Sequence, residues 1–488
     1  MAERGEHAPQ DHTAEDRRAK LARLREEGVD PFPHEFGGVT PVERIHAAHD
    51  ELDAGAETDA SYRVAGRLHA RRGHGGASFL DLDDRSGRIQ LHAREDVLGE
   101  ESFRGLTSLD LGDLIGVDGT AFKTKRGELS LRVDGWQLLA KSLRSPPEKF
   151  HGLEDVETRY RQRELDLMAN EETRELFIMR SRVIAAVRRW LDERGYLEVE
   201  TPVLQPVYGG ALAQPFTTHH NALDRDLFLR IATELYLKRL IVGGLERVYE
   251  LGKDFRNEGL SHKHNPEFTM LEWYRAYADY ELVAHELEEL ISAVAADVGY
   301  EDEIDWTKPW RRITLRDAIA EHTGIDVLAV RDRDELVAAA RERGIEVDAS
   351  ATWAKLVDDM LSKQVEPKLA QPTFVVDYPV ELSPFAKAHR SEPGLVERWE
   401  CFAGGMEFAN AFSELNDPDE QRARFEHQMR QTAEGDEEAQ PYDEDFVRAL
   451  EHGMPPTGGV GLGIDRLVML LSGRRSIREV VLFPTMRT

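Results

Sequence analysis

The chain has 488 residues, of which 41% are hydrophobic, and it carries a formal net charge of −29. This length predicts two to four domains, and the acidic charge by itself argues against nucleic acid as a partner. The single cysteine excludes an intrachain disulfide and a multi-cysteine zinc site. Apolar neighbours make Cys401 a small buried thiol rather than a nucleophile.

The sequence shows no targeting or membrane-spanning segment. Its first twenty residues are polar and lack the apolar stretch of a signal peptide. No run approaches the 18 apolar residues that a membrane span requires. We therefore expect a cytoplasmic protein without membrane contact.

Residues 1–60 are predicted to form a helical extension. A narrow apolar stripe with Leu21 and Leu24 favours a helix over 12–28, and Gly28 is suited to end it. The segment "VDPFPHEFGG" interrupts the chain with two prolines. A second helix is predicted around 41–53.

Residues 61–143 have the pattern of a small β-barrel. Five short strands are separated by glycines or charged turns within about 85 residues, as in small barrels. This segment has 13 lysines and arginines against 12 aspartates and glutamates. A polyanion is therefore able to dock on it despite the acidic chain. Residues 144–169, rich in charge and with two prolines, are predicted to be a linker.

The remainder, 170–488, mixes helices and strands, which predicts an α+β fold. Asn170 is predicted to cap a helix that runs to Arg194, before Gly195. Residues 277–370 are predicted to be mainly helical. Strands return after that, and a glycine-rich strand and a helix close the chain.

The segment "FRNEGLSHKHNPEFTMLEWY" is predicted to be two strands joined by a loop. Arg256 is suited to bind a phosphate through its guanidinium fork. His264 and Asn265 in the loop are able to hold further phosphate oxygens or a purine. Glu272 and Tyr274 share a strand face and offer an anion and a hydroxyl. The alternative is a surface hairpin with solvated charges.

Two further segments carry candidate ligands. In "GMEFANAFSELNDP", Glu407 and Glu414 suit Mg²⁺, which prefers oxygen ligands and bridges to phosphates. In "GGVGLGIDRLVMLLSG", Arg466 lies at a helix start, a favourable anion site. The alternatives are a polar strand and turn for the first segment, and a tight turn with a surface arginine for the second.

With these three segments in place, the chain resembles the class II aminoacyl-tRNA synthetases. The hairpin resembles their motif 2, "GVGLGIDRLVMLL" their motif 3, and the helix from residue 171 their motif 1, the dimerisation element. More narrowly, "GGALAQPFTTHHNALDRDLFLRIATELYLKRL" and "FANAFSELNDP" are similar to the class II lysyl-tRNA synthetases. The resemblance runs from about residue 60 to the C-terminus.

The resemblance implies an N-terminal OB-fold barrel that reads the anticodon, at 61–143. It also implies a catalytic domain at 170–488, built on an antiparallel sheet flanked by helices and carrying the helical segment as an insertion. The implied activity is lysine–tRNA ligation: lysine is activated with ATP and Mg²⁺ to lysyl-adenylate, and the lysyl group is transferred to the 3′-terminal adenosine of lysine tRNA. A homodimer is expected.

The resemblance also assigns roles to individual residues. Arg256 and Arg466 are the expected catalytic residues, at the α- and γ-phosphates, and Glu407 with Glu414 would hold the metal. The expected ATP-binding residues are Arg256, Glu258, His264, Asn265, Phe268, Glu407 and Arg466. The expected lysine-binding residues are Gly210, Glu234, Glu272, Tyr274 and Asn416.

In the barrel, the positions that match anticodon-reading residues of the family are Arg71, Phe79, Gln90 and Glu128. An aromatic platform with polar edge readers suits single-stranded bases. The alternative places Phe79 in the barrel core. The adjacent His219 and His220 lie on a predicted strand and point to opposite faces, so a chelating pair is not expected.

The chain departs from the family pattern at three positions. Gln214 stands where arginine is common, Thr233 where proline is common, and Glu164 where tyrosine is common. Three alternatives stay open: a relative that charges elongation factor P and lacks the barrel, an RNA-binding module without activity, and an aspartyl or asparaginyl synthetase. The acid at Glu272 argues against the last, because an aspartate pocket needs a cation there.

Overall fold

The computed structural model of the chain describes residues 13–147, 153–211, 213–433 and 441–487. The chain divides into two compact units, Met1–Glu154 and Asp155–Thr488. Residues 1–12 of the predicted extension and 148–152 of the predicted linker lie outside the described residues. Among the described helices, none is long and apolar enough to cross a membrane.

The first unit begins with two helices, α1 (Ala14–Glu26) and α2 (Val42–His49). Thr13 and Asp16 form a capping box that starts α1. Leu21 on this helix is buried, as its apolar stripe predicts, and the buried Arg17 donates hydrogen bonds to the carbonyls of Leu111 and Ser142. The described part of the extension therefore packs on the barrel of its own unit.

Five strands form a closed barrel in the order β1-β2-β3-β5-β4, with β3 and β5 parallel and the other pairs antiparallel. The elements in chain order are β1 (Glu57–His74), β2 (Ala77–Asp83), β3 (Arg88–Arg94), α3 (Glu95–Leu98), α4 (Glu100–Thr107), β4 (Leu114–Lys123) and β5 (Leu129–Ala140). The predicted five-stranded barrel is confirmed. The two short helices before β4 were not predicted.

The second unit begins with helices where a linker was predicted. They are α5 (Val156–Arg161) and α6 (Arg163–Ala169), and the predicted long helix follows them as α7 (Glu171–Asp192). Asp166 is buried and lies 2.8 Å from Arg159 and 2.5 Å from Arg163. Arg163 also donates to the carbonyls of Leu482 and Arg478. From residue 156 onward, part of the dense charge of the predicted linker therefore forms buried ion pairs within this unit.

The predicted cap of α7 also differs in the structure. Asn170 occupies the N-cap position, but no side-chain capping bond is made there. Its Nδ2 instead donates to Asp166 Oδ1 at 2.6 Å, because Asp166 lies four residues earlier, one helical turn along the chain.

An eight-stranded sheet is the centre of the second unit, in the order β12-β13-β14-β15-β16-β11-β10-β6. The six central strands are antiparallel, and the two edge pairs are parallel. A separate three-stranded sheet has the order β7-β9-β8. The first of these strands and helices are β6 (Leu197–Glu198), β7 (Leu204–Gln205), β8 (Thr217–His220), β9 (Arg225–Leu229), α8 (Glu234–Val242), β10 (Arg247–Phe255), β11 (Glu267–Ala276) and α9 (Tyr280–Val298).

Residues 277–370 are mainly helical, as predicted, but they divide between two cores. Helix α9 packs into the main core with α7 and the sheet, whereas the following helices form a separate apolar cluster. After α9 come one short strand, β12 (Arg311–Thr314), and the helices α10 (Leu315–Thr323), α11 (Arg333–Glu342) and α12 (Trp353–Met360).

The last part of the chain completes the sheet. Its elements are β13 (Thr373–Pro379), β14 (Leu395–Ala403), β15 (Met406–Ser413), α13 (Pro418–Ala433), α14 (Glu444–Glu451), β16 (Thr457–Gly463), α15 (Ile464–Ser472) and α16 (Ile477–Val480). Cys401 lies buried on β14, and burial raises the pKa of its thiol, which agrees with the predicted inert role.

Candidate active site

A cavity of about 310 Å³ opens on one face of the large sheet, over strands β11, β16 and β15. Two rows of paired residues cross its floor. Glu272 lies opposite Gly461, which lies opposite Asn410. Tyr274, Gly459 and Phe412 form the next row. The strand register therefore brings residues from three distant segments to one face.

The glycines of β16 make room for the acidic side chains of the floor. A Cβ on Gly459 would lie 2.1 Å from Glu414 Oε1 and 2.3 Å from the Tyr274 ring, so only glycine fits at this position. A Cβ on Gly461 would meet nothing closer than 4.0 Å. A side chain there would project into open cavity space.

The hairpin of β10 and β11 brings the predicted ATP residues to the cavity. Arg256, Glu258, His264, Asn265 and Phe268 all line it. Arg256 follows the last residue of β10, and its guanidinium lies 5.1 Å from the centre of the Phe268 ring. Strand β10 ends at Phe255, so Arg256 and Glu258 lie after the strand. The alternative of a solvated surface hairpin does not describe this arrangement.

His264 and Asn265, the two predicted ligands in the loop of the hairpin, make different contacts. His264 Nε2 accepts a hydrogen bond from Arg466 at 3.2 Å, and its Nδ1 lies 2.8 Å from Ser261 Oγ. Burial and the nearby Arg466 charge lower the pKa of His264 to about 4, so it is neutral. The side chain of Asn265 donates to the Glu267 carbonyl and accepts from the Thr485 amide. Asn265 therefore also shapes the backbone of the loop.

Arg466 lies in the first turn of α15. Its side chain reaches the cavity rather than the surface. Its Nη1 donates to the backbone carbonyl of Glu407 at 2.8 Å and to the carboxylate of the same residue at 2.9 Å. A one-residue irregularity of β15 between Glu407 and Ala409 shifts the strand alternation. Because of this shift, Glu407 and Glu414 both line the cavity although they are seven residues apart.

The end of the cavity opposite Arg466 and Glu407 is lined by buried acidic side chains. Glu272 accepts hydrogen bonds from the Tyr274 hydroxyl at 3.1 Å and from the Thr233 amide at 3.2 Å. Burial, and then repulsion from Asp254 and Glu234, raises the pKa of Glu272 to about 8. Burial also raises the pKa of Glu234 and brings that of Glu414 to about 8.

Gly210 and Asn416, the two remaining predicted lysine-binding residues, differ in position. Gly210 lines the cavity with φ +90°, and a Cβ there would lie 3.0 Å from the Cβ of Glu234. The structure does not bring Asn416 to the cavity. Its oxygen accepts from Lys387, and its Nδ2 donates to the Met454 carbonyl. The chain leaves the sheet after Glu414, and this departure turns the Asn416 amide away.

Sequence reasoning missed several groups at the cavity. Arg398 on β14 lines it and binds Glu400 at 2.5 Å and the Asn410 oxygen at 3.1 Å. Burial raises the pKa of Glu400 to about 7. Lys238 lies behind the acidic end. The only sequence signal for Lys238 is its position four residues after Glu234, one helical turn along α8.

The predicted metal ligands are each paired with a cation. Glu407 binds Arg466, and the Glu414 carboxylate lies 2.5 Å from Lys238 Nζ. Within the described ranges, no group of three or more histidine, cysteine or acidic side chains is arranged to hold a metal ion. Two carboxylates on one cavity still fit the chemistry of Mg²⁺, which takes one or two carboxylates together with substrate phosphates.

A second candidate site lies on the outer face of the barrel. Burial alternates along β2 and β3, and it places Phe79 and Gln90 outward while Leu80 and Leu91 fill the core. Phe79 therefore does not belong to the barrel core. Its ring stacks on His92 with a centroid distance of 4.5 Å. Gln90 accepts a hydrogen bond from Ser130, and the exposed Glu128 lies just before β5.

Arg71 does not share this face. It pairs with Leu80 across the ladder, and its guanidinium donates to the carbonyls of Thr107 and Leu109. The next residue, Arg72, lies opposite Phe79, and its side chain is 3.3 Å from Asp81. Because neighbouring residues on a strand point to opposite faces, the one-residue difference decides which arginine shares the face of Phe79.

The fold and the two sites define an aminoacyl-tRNA synthetase of class II with an OB-fold barrel. Residues 155–487 match the family described as tRNA synthetases class II (D, K and N), and residues 62–139 match the OB-fold nucleic acid binding domain. The chain therefore belongs to the class II tRNA synthetases of the D, K and N group.

Similar curated proteins cover nearly the whole chain. A lysine–tRNA ligase of Carboxydothermus hydrogenoformans is 50% identical over 490 residues, which is 99% of each chain. The lysine–tRNA ligase of Moorella thermoacetica is 52% identical over 475 residues, 96% of each chain. That of Staphylococcus saprophyticus is 47% identical over 483 residues, 96% of this chain and 97% of the relative.

Proposed function

We propose that this chain is a lysine–tRNA ligase, which activates L-lysine with ATP and transfers the lysyl group to lysine tRNA. The observation that carries the choice of amino acid is the buried acidic end of the cavity, with Glu234, Glu272 and Glu414. An ε-ammonium loses its water in such a pocket and needs a carboxylate partner. The similar curated lysine–tRNA ligases support the same choice.

The first step joins lysine to AMP. A carboxylate oxygen of lysine attacks the α-phosphorus, a carboxyl–phosphate bond forms, and pyrophosphate leaves with the electrons of the broken P–O bond. No protein nucleophile is needed, so catalysis consists of positioning and charge stabilisation. Arg256 binds the α-phosphate, Arg466 binds the γ-phosphate, and the adenine stacks on Phe268.

Neutral His264 and the loop that holds it support this assignment. His264 keeps the guanidinium of Arg466 in place through its Nε2. It does so without adding a second positive charge that would repel Arg466. Glu258 lies beside Arg256 on the cavity wall and is assigned to the nucleotide, together with the Asn265 loop.

Glu407 and Glu414 would hold Mg²⁺ in this scheme. The ion supplies charge neutralisation at the phosphates when it is bound. Glu407 lies next to Arg466 at the phosphate end, which favours its role there. Glu414 lies at the acidic end and is also bound to Lys238, so its carboxylate would be shared between the ion and that ammonium.

The second step moves the lysyl group to RNA. The 3′-hydroxyl of the terminal adenosine attacks the lysyl carbonyl, and AMP leaves. For recognition of the anticodon we assign Phe79, Gln90 and Glu128. Arg72 replaces Arg71 as the basic residue, because Arg72 shares the face of Phe79.

We further propose a cytoplasmic homodimer. The reaction requires tRNA, which is used by the ribosome in the cytoplasm. Exposed apolar side chains on and next to the motif 1 region support the dimer: Ile178, Leu197, Val203 and Leu204. Single exposed apolar residues are normal, but a group of them indicates a contact surface.

The amino acid is tested by amino-acid-dependent ATP–pyrophosphate exchange with all twenty amino acids, with and without Mg²⁺. We expect exchange with lysine and a requirement for Mg²⁺. Exchange with aspartate or asparagine instead would contradict the choice of lysine. The absence of exchange with every amino acid would favour an RNA-binding module.

The RNA step is tested by charging of lysine tRNA. We expect Phe79→Ala to raise the KM for tRNA by about tenfold, since stacking of a base on an aromatic ring contributes about 1–3 kcal/mol, with exchange unchanged. Arg72→Ala is expected to raise it more than Arg71→Ala. Lysine activation without tRNA charging would instead indicate a relative that charges a protein.

A further inference from the structure

Arg180 on helix α7 makes a closed set of contacts with Asp465 and Thr269, and we call these three residues the Arg180 triad. The Nη1 of Arg180 lies 2.6 Å from Asp465 Oδ1, and its Nη2 donates a hydrogen bond to Thr269 Oγ1 at 3.0 Å. The second carboxylate oxygen of Asp465 accepts a hydrogen bond from the Thr269 amide at 2.7 Å. Each member of the triad therefore contacts the other two, although the three come from distant segments of the chain.

The end of the pairing between β11 and β16 explains the position of Asp465. The two strands pair as far as Met270, which lies opposite Gly463, and the chain then turns into α15. Thr269 precedes this pairing by one residue, and its amide is bound by the Asp465 carboxylate. Only 2% of the Asp465 side chain is exposed. A buried carboxylate is costly without a cation, and Arg180 supplies that cation from α7.

Two members of the triad are next in sequence to residues that we assign to ATP. Thr269 follows Phe268, the proposed platform for the adenine, and Asp465 precedes Arg466, the proposed ligand of the γ-phosphate. Neighbouring residues on a strand point to opposite faces, so Phe268 faces the cavity while the Thr269 side chain faces α7. The donors of a guanidinium form a rigid fork. Arg180 therefore fixes the distance between Thr269 and Asp465, and with it the relative positions of Phe268 and Arg466.

Arg180 also contacts a helix that touches the loop of the hairpin. Its Nη1 donates to the carbonyl of Val480 at 3.2 Å, at the end of α16. At the start of α16, the amide of Ile477 donates to the carbonyl of His262 at 2.8 Å. His262 lies in the loop between β10 and β11, which also carries His264. One guanidinium thus contacts β11, α15 and α16, the elements that surround the phosphate end of the cavity.

We propose that Arg180 is a positioning residue for ATP: through Asp465 and Thr269 it holds Arg466 and Phe268 at the separation that the γ-phosphate and the adenine require. The proposal rests on the activation of lysine with ATP proposed above. Arg180 touches neither the nucleotide nor the reacting atoms in this scheme. Its role is confined to the phosphate end, so the binding of lysine should not depend on it.

The test compares the KM for ATP with the KM for lysine in pyrophosphate exchange. We expect Arg180→Met to raise the KM for ATP by roughly tenfold or more, as for the loss of one hydrogen bond to a charged group, with the KM for lysine within about twofold. Arg180→Lys keeps the charge but lacks the fork, and is expected to recover part of the loss. Arg189→Met is the matched control, since Arg189 lies on the same helix and pairs with Asp297 at the exposed surface.

The double variant Arg180→Met/Arg466→Lys separates positioning of Arg466 from a merely structural role of Arg180. If Arg180 acts through Arg466, the KM of the double variant for ATP is lower than the product of the two single effects predicts. Independent single effects would overturn the proposal. A folded Arg180→Met variant with an unchanged KM for ATP, or with equal increases of KM for ATP and for lysine, would overturn it as well.

Thr269→Val tests the triad with a smaller change to the buried structure. It keeps the branched shape of the side chain and removes the oxygen that accepts from Arg180. We expect the KM for ATP to rise about two- to tenfold, as for the loss of one intramolecular hydrogen bond, with the KM for lysine unchanged. An unchanged KM for ATP in this variant would contradict the proposal. A failure of lysine-dependent exchange in the unchanged enzyme would instead contradict the proposed function itself.

Discussion

The two ends of the cavity hold their charges in different ways. At the phosphate end, the side chains of Arg466 and Glu407 are 20% and 34% exposed and bind each other directly. At the acidic end, Lys238 and Glu414 have no exposed side-chain surface and Glu234 is 5% exposed. Charges in the first pair are screened by water, whereas those in the second group interact across a low dielectric.

In the proposed function, this difference would let one cavity accept both ATP and an amino acid. A polyphosphate brings several charges, so a partly solvated site with arginine forks is sufficient. A lysine side chain brings one charge. Discrimination between amino acids then depends on the free energy lost when a side chain without that charge occupies the site. Because an unpaired buried charge is strongly unfavourable, we expect the acidic end to reject neutral side chains more strongly than a solvated site would.

The largest expected effect comes from removing charge at the acidic end. Glu272→Gln takes away the carboxylate next to Tyr274, and truncating one partner of a buried charge pair costs about 2–5 kcal/mol. We expect the KM for lysine to rise by roughly 30-fold or more, with ATP binding retained. The measurement is pyrophosphate exchange as a function of lysine and of ATP.

Glu267→Gln on the same strand is the control, because Glu267 is exposed and is expected to tolerate the change. Unchanged lysine activation by Glu272→Gln would remove Glu272 from the ammonium site.

A substitution at the phosphate end should reduce the use of ATP more than the binding of lysine. Arg466→Lys keeps the charge but loses the fork that contacts Glu407 and His264. We expect kcat/KM for ATP to fall by about tenfold to 100-fold, as for loss of a group that stabilises transition-state charge, with a smaller change of KM for lysine. A selective loss of lysine affinity instead would mean that the two ends are not independent.

The KM for lysine should depend on pH, because of a carboxyl group at the acidic end of the cavity. Burial, and then repulsion from Asp254 and Glu234, raises the pKa of Glu272 to about 8, so this carboxyl holds a proton below that pH in the empty cavity and releases it when an ammonium binds. The KM for lysine is therefore expected to fall between about pH 6.5 and pH 8.5, by at most about tenfold per pH unit for each linked proton. The KM for ATP, measured in the same buffers, should lack this fall.

The same linkage predicts a change in stability. A carboxyl with a raised pKa binds more protons in the folded state than in the unfolded state between its usual range and about pH 8. The empty protein should therefore lose stability as pH rises through this window, and saturating lysine should offset the loss. A Tm series with and without lysine measures this. A profile that is unaltered in Glu272→Gln would contradict the assignment to this carboxyl.

The smallest expected effect concerns Thr233, whose backbone N–H donates to Glu272 at 3.2 Å. Thr233→Pro removes this donor, and an intramolecular hydrogen bond contributes about 0.5–1.5 kcal/mol, so we expect the KM for lysine to rise about two- to tenfold. Thr233→Ala keeps the N–H and is the matched control. Equal effects of the two variants would mean that the hydroxyl or the packing matters, and not the donor.

Sequence reasoning predicted most of the fold and a hairpin whose residues line one cavity. Arg256, His264 and Phe268 lie within one hairpin, and a local strand–loop–strand pattern with its motif is visible in a short segment. The barrel was also predictable, because alternating strands with glycine turns are a local signal. Relations that depend on packing between distant segments were not predictable in this way: the helices at 156–169 were taken for a linker, and Asn416 for a pocket residue.

The amino-acid sequence by itself determined the α+β class, the two motif segments, the acidic residue Glu272 and the family. The class follows from hydrophobic periodicity along the chain, and the motif segments and the family follow from their resemblance to known sequences. Only the tertiary structure decided that Lys238 is buried between Glu234 and Glu414, that Arg72 rather than Arg71 shares the face of Phe79, and that Thr233 donates to Glu272. The physical reason is that burial, strand register and hydrogen-bond partners depend on residues far apart in the chain, which the sequence order does not specify.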